Sequence, residues 1–194
     1  MMDPIRANIE TSIAVHQRLL EACLPDITAA AGALVRAYQR GYKAIFFGNG
    51  GSAADAQHLA AEFLGRYLQE RPPLPAVALN TNSSAVTAIG NDYGYDQVFA
   101  RQLTGLAAPG DVAVGISTSG NSESVIQGIA AAKQLGVYTV ALTGAGGGRL
   151  RGQADTHIMV PSNEVPRIQE CHILIGHALC DTVEQALAGL PVRV

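Results

Sequence analysis

The chain has 194 residues, 48% of them hydrophobic and only 15% charged, with a net charge of −3; that is enough apolar content for one buried core, and it excludes a disordered chain. Thirteen Lys and Arg against sixteen Asp and Glu leave no basic footprint for phosphate backbones, so no nucleic-acid partner is expected. Glycine, 21 residues or about 11% against a typical ~7%, has no triplet period, and Cys23, Cys171 and Cys180 cannot staple this length, which removes collagen-like and disulfide-scaffold readings. The odd cysteine count without a C-x-x-C pair points to buried thiols in a reducing compartment. The opening MMDPIRANIETS has no apolar h-region, and no run approaches ~18 apolar residues. The expectation is a cytoplasmic chain that spans no membrane. So little charge also points to surface buried against another copy.

Residues 4–40 carry helical periodicity, with Ile5, Ile9, Ile13 and Leu20 on one stripe and a second run from Ile27 through Leu34 and Tyr38. Pro25-Asp26 between them predicts the corner of an N-terminal helical hairpin, residues 1–41. After Gly41 the pattern changes to short β-branched or aromatic runs bounded by Gly, Pro, Asn or Asp: 43–48, 76–79, 112–116, 137–142 and 157–160. Ala-rich helical stretches fall between them, at 52–68, 83–90, 97–106 and 122–135, and a last long helix covers about 164–188. Strands alternating with helices predict a parallel sheet covered on both faces. The expected architecture is a single domain over 1–194: the hairpin, then a three-layer αβα sandwich with a five-stranded parallel sheet over 42–194, closed by a long C-terminal helix.

Two loops follow strands and open helices, the position where open α/β sheets bind ligands. Gly48-Asn49-Gly50-Gly51-Ser52 fits neither the dinucleotide fingerprint nor the P-loop. Its glycines let backbone approach an anion at a helix N-terminus, although a tight turn capped by Ser52 explains it equally well. Ser117-Thr118-Ser119-Gly120-Asn121-Ser122 places four hydroxyls in six residues at the next such junction. One or two would make an ordinary capping turn; four make a neutral cradle for a phosphate dianion.

His58 and Glu62 stand four apart on the helix after the first loop, on one face. They can address one metal or substrate, or be a plain surface pair. On the last helix Gln169 and His177 are roughly 80° apart in rotation and ~12 Å along the axis; apolar neighbours predict that His177 is buried, and His172 faces away from it. Asn91 and Asp92 lie in an Asn-Asp-Tyr-Gly turn after the second strand and are candidate hydroxyl ligands.

In order along nearly the whole chain, GNGGSAADAQHLAAEF (48–63), RPPLPAVAL (71–79), IGNDYGYDQVF (89–99), GDVAVGISTSGNS (110–122), ALTGAGGG (141–148) and RIQECHILIGHALCD (167–181) resemble the SIS (sugar isomerase) domain, and within it the phosphoheptose isomerases. The resemblance implies a cytoplasmic homotetramer with active sites at subunit interfaces, converting sedoheptulose 7-phosphate to a heptose 7-phosphate. It implies that Asn49, Gly50, Gly51, Ser52, Asn91 and Asp92 hold the sugar, and that Ser117, Thr118, Ser119 and Ser122 grip the phosphate. His58, Glu62, Gln169 and His177 would hold one zinc per subunit, with Glu62 and His177 the proton-transfer pair and Gln169 and Glu62 also touching substrate. Metal ligation and base catalysis pull Glu62 in opposite directions. Pro166 departs from members that carry Asp before R-I-Q-E, removing one polar contact. Two rival readings sit in the same superfamily: a non-catalytic tetramer that binds DnaA as a replication-initiation adaptor, and a sugar-phosphate-sensing regulator. The adaptor branch lacks the Glu62 carboxylate and the His177 imidazole. The regulator would need a DNA-binding segment, which Arg6, Arg18, Arg36 and Arg40 alone do not supply.

Overall fold

The computed structural model describes residues 3–188. It begins with one unbroken helix, α1 (Pro4–Gln39, 36 residues), with Asp3 capping its N-terminus through Ile5 N–H and Pro25 inside it. The expected hairpin is therefore corrected to a single rod. Pro25 removes one helical hydrogen bond, but it lies on an exposed face, so the freed Glu21 carbonyl can be hydrated. Cys23 and Ala30 on the opposite face stay buried, which holds the axis through the proline.

Five strands follow: β1 (Ala44–Gly48), β2 (Ala76–Ala78), β3 (Val112–Ile116), β4 (Tyr138–Thr143) and β5 (Thr156–Met159). They alternate with α2 (Gly51–Leu64), α3 (Ser83–Tyr93), α4 (Val98–Leu106) and α5 (Glu123–Gln134), and α6 (Val165–Leu187) closes the fold. All pairings are parallel, in the order β2-β1-β3-β4-β5. Parallel strands need a covering on both faces, and β1 shows how the sequence provides it. Phe46 points to one side and stacks on Phe63 of α2, with centroids 5.8 Å apart; Phe47 points to the other and meets Phe99 of α4 at 5.2 Å. Two cores result, one under α1, α2 and α6 and one under α4 and α5.

The order reverses direction between β1 and β3. The loops leaving those two strands therefore diverge to opposite faces and open a crevice at the carboxyl edge of the sheet.

Candidate active site

The first loop is shaped by close backbone approach. A Cβ on Gly48 would stand 2.8 Å from the Ile116 carbonyl and 2.8 Å from Ser52 Cβ, so the ends of β1 and β3 can come together only with glycine there. Asn49 is held from both sides: its Nδ2 donates to Ser124 Oγ (2.9 Å), and its Oδ1 accepts from Tyr95 hydroxyl (2.8 Å). Ser52 is buried, and Gly50 has φ 58 at the helix entry. Gly51 sits directly under the Gln169 side-chain amide, where a Cβ would collide with Nε2.

The second loop opens α5 in a way that leaves its donors free. Ser122 is the N-cap residue, yet its hydroxyl caps no helical N–H; it accepts instead from Ser117 Oγ at 3.2 Å. The first-turn amides of Glu123 and Ser124 therefore keep no side-chain partner, and the helix dipole adds positive character at the same place. Ser119 Oγ accepts from Asn121 N–H, and the Thr118 carbonyl accepts from Gly144 N–H. The Gly144–Gly148 stretch after β4 packs onto this loop so tightly that a Cβ on Gly120 or Gly148 would strike backbone. Arg149 pairs with Glu123 Oε2 at 2.6 Å, so hydrogen bonds from Gln127 and Arg149 hold that carboxyl below its ordinary range.

Where α2 crosses α6, the titratable candidates meet. His58 Nε2 faces His177 Nε2 at 2.9 Å, one of the two carrying the shared hydrogen according to tautomer. Glu62 Oε1 lies 3.4 Å from His58 Nε2, and the Tyr67 ring stands against His177 at 5.3 Å between centroids. Gly176 makes the crossing this close: a Cβ there would be 2.4 Å from Leu59 Cδ2. Burial falls differently from expectation. His177 is half-buried, whereas His172, completely buried, has Nε2 3.3 Å from the Thr143 carbonyl oxygen and its pKa lowered to about 4 by desolvation. The core stripe of α6 runs through Ile168, Cys171, Ile175 and Leu179, so position 172 lies inside and 177 at its margin.

Among the described residues no group of three or more His, Cys, Asp or Glu side chains is gathered as a metal cluster. What is present is a facing imidazole pair with a carboxylate beside it, donors of the chemistry zinc takes. Gln169 does not join them; it stays at Gly51, seven residues earlier on α2. Asn91 and Asp92 are exposed in the last turn of α3, which runs to Tyr93 rather than ending before a turn. Asn91 Nδ2 donates to Asp92 Oδ1 at 2.8 Å, and Tyr95, just beyond, is the link from this segment to Asn49. Tyr95 and Tyr67 are the site residues that sequence reasoning passed over; the tyrosine that follows Asn-Asp-Tyr-Gly was the available signal for the first. Asp55, one turn before His58, keeps a buried Oδ2 without a partner, and desolvation raises its pKa while His58 opposes.

The SIS domain profile matches residues 9–144. The chain is 53% identical over 189 residues to a phosphoheptose isomerase of Rhodospirillum rubrum, covering 97% of this chain and 100% of that protein. It is 49% identical to a phosphoheptose isomerase of Aquifex aeolicus, over 95% and 97% of the two chains. Among solved structures, it resembles a phosphoheptose isomerase of Neisseria gonorrhoeae with a TM-score of 0.88 at 43% identity, covering 93% of this chain and 97% of that one. A phosphoheptose isomerase of Francisella tularensis gives 0.91 at 39%, over 95% and 98%.

Proposed function

This chain belongs to the phosphoheptose isomerases of the SIS domain family and is an isomerase; from that premise we propose that it converts D-sedoheptulose 7-phosphate to D-glycero-D-manno-heptose 7-phosphate, the first step of ADP- or GDP-heptose biosynthesis. The observation that carries this reading is the meeting of Glu62 and His58 on α2 with His177 on α6.

Aldose–ketose interconversion moves a proton between adjacent carbons through an enediol(ate), and it needs a base at carbon and an acid at oxygen. Glu62 takes the proton from one carbon and returns it to the next. His177 protonates and deprotonates the substrate oxygens, its ring set by Tyr67 and its Nε2 hydrogen-bonded to His58. Ser117, Thr118, Ser119 and Ser122, with the open amides of α5, bind the phosphate. Asn49, Gly50, Gly51, Ser52, Asn91, Asp92 and Gln169 surround the sugar. His58, Glu62 and His177 would hold one zinc per subunit, with the fourth ligand, Gln169, which within this chain stays at Gly51, supplied from a neighbouring copy. When bound, such an ion stabilises negative charge developing on the substrate oxygens.

The assembly is read as a homotetramer. Ile5, Ile9, Ile13, Leu20 and Leu24 form an exposed apolar stripe along α1, and α3 buries none of its residues. Surfaces of this kind mark interfaces. The cellular setting is read as cytoplasmic; no helix among the described residues is long and apolar enough to cross a membrane. The DnaA-binding alternative is not favoured, since both Glu62 and His177 are present and the relatives above are named as isomerases.

Purified protein incubated with sedoheptulose 7-phosphate should yield the aldose, and chelation should depress the rate. No turnover, together with measurable binding to DnaA, would replace the enzyme with the adaptor. Full activity at zero zinc content would remove the metal from the mechanism.

A further inference from the structure

The segment between α2 and β2 is tied to both helices of the site by one buried ion pair. The Glu184 carboxylate has no exposed side-chain surface, and it accepts from the backbone N–H groups of Tyr67 (2.7 Å), Leu68 (2.8 Å) and Gln69 (2.9 Å) and from Arg71 Nε (2.8 Å). The other nitrogens of Arg71 turn back onto the end of α2. They donate to the carbonyls of Glu62 (2.8 Å), Phe63 (2.9 Å) and Gly65 (3.4 Å), and to the Pro72 carbonyl (3.1 Å). The last carbonyls of a helix have no partner within it, and a cation there is favourable. Arg71 therefore caps the turn that bears Glu62, while Glu184, seven residues beyond His177 on α6, neutralises the cap and holds Tyr67 N–H.

We propose that Arg71 and Glu184 are positioning residues for the isomerisation, a clamp that fixes the turn carrying Glu62 against the helix carrying His177 and sets the Tyr67 ring beside that imidazole. The inference rests on the reading of Glu62 and His177 as the proton-transfer pair. Neither Arg71 nor Glu184 is required to touch the sugar phosphate. Their effect is on the spacing and orientation of the two groups that do, and misplacement of about 1 Å in such a pair costs on the order of 100-fold in rate.

Lysine is the informative substitution, because a single ammonium retains the charge but cannot span Glu184 and three helix-end carbonyls as a planar guanidinium does. The Arg71→Lys enzyme should stay folded and assembled, with kcat lowered about 10- to 100-fold and KM for sedoheptulose 7-phosphate changed less than about threefold, because the phosphate loop belongs to α5. The ring-current shift of the His177 carbon-bound protons, read by NMR with a Tyr67→Leu enzyme as reference, should move toward the Tyr67→Leu value. In an Arg71→Ala enzyme, millimolar guanidinium should restore part of kcat, and sodium at the same ionic strength should not. Glu184→Gln, nearly isosteric, should reproduce the kcat loss if Arg71→Lys folds poorly. Unchanged kcat in folded Arg71→Lys and Glu184→Gln would overturn the clamp, as would a loss of activity that tracks only the unfolded fraction. Normal turnover by Glu62→Gln would instead overturn the underlying assignment, and the His177 shift in Arg71→Lys would still decide whether the clamp sets that ring.

Discussion

Substituting Gly176 by alanine adds one methyl group at the α2–α6 crossing, and its cost can be worked through. The new Cβ would lie 2.4 Å from Leu59 Cδ2 and 2.8 Å from Cδ1, against a carbon–carbon contact distance of about 3.5–4.0 Å. More than 1 Å must be found. Leu59 is only 1% exposed, so its side chain has no open space to swing into, and the helices must separate. Overpacking of this kind costs about 1–3 kcal/mol, while alanine over glycine inside a helix returns about 1 kcal/mol. Net destabilisation is then at most about 2 kcal/mol, and the protein stays folded. Function should suffer far more. His58 and His177 are the sequence neighbours of the two clashing residues, so widening the crossing opens their 2.9 Å contact. Rate should fall by on the order of 100-fold. The assay is turnover of sedoheptulose 7-phosphate beside thermal melts, with Gly105→Ala as the control, since a Cβ on Gly105 in α4 meets nothing within 4 Å. A Gly176→Ala enzyme with kcat within twofold of wild type would refute the claim that this glycine sets the site.

Glu62→Gln should lower kcat by roughly 100- to 10,000-fold with fold and assembly intact, as expected for loss of a general base; retained turnover would eliminate Glu62 from that role. Ser119→Ala combined with Ser122→Ala should raise KM for the phosphorylated sugar by about tenfold or more, since hydrogen bonds to a charged group contribute about 1.5–3 kcal/mol each; an unchanged KM would refute the phosphate cradle. Acid should destabilise the protein as pH falls from 6.5 toward about 4, because the unfolded His172 ring takes a proton in that window and the buried one does not. The full effect is about 3 kcal/mol at ~1.4 kcal/mol per pH unit, and denaturant titrations of His172→Gln should show a flatter acid slope. Glu184 acts in the same direction at lower pH. Burial opposes ionisation of its carboxyl, but the backbone hydrogen bonds from Leu68, Gln69 and Tyr67, with Arg71, hold it below its ordinary range, so its contribution is lost as pH drops through that depressed value.

Local chemistry made the sheet legible. Each strand is a short run bounded on at least one side by Gly, Pro, Asn or Asp, and each was expected within a residue or two of its place, as was α6. Pro25 misled because the sequence does not reveal which helical face meets solvent, and a proline there costs one hydratable carbonyl rather than the helix. His177 proved half-buried rather than buried for a similar reason: it and His172 both have apolar neighbours, and only packing against Thr143 and the core decides that 172 lies inside. The loop motifs and the His58–Glu62 spacing announced themselves through residue type at fixed intervals. Arg71 with Glu184, separated by 113 positions, and Tyr95 with Asn49, separated by 46, carry no such interval. Only the topology makes them neighbours.

The unbroken α1 rod has a mechanical consequence. At about 1.5 Å per residue it is roughly 54 Å long, and its first buried side chain is Val15. Three turns, Pro4 to Ala14, thus overhang the apolar core, moored to α6 by Arg167 to the Asn8 carbonyl and by Ser12 to Glu170. Eleven residues are too few to stay helical in water on their own. The outer end of α1 is consequently a sensor of its surroundings: its polar moorings to α6 decide whether it is wound, and salt would unwind it before disturbing the sheet.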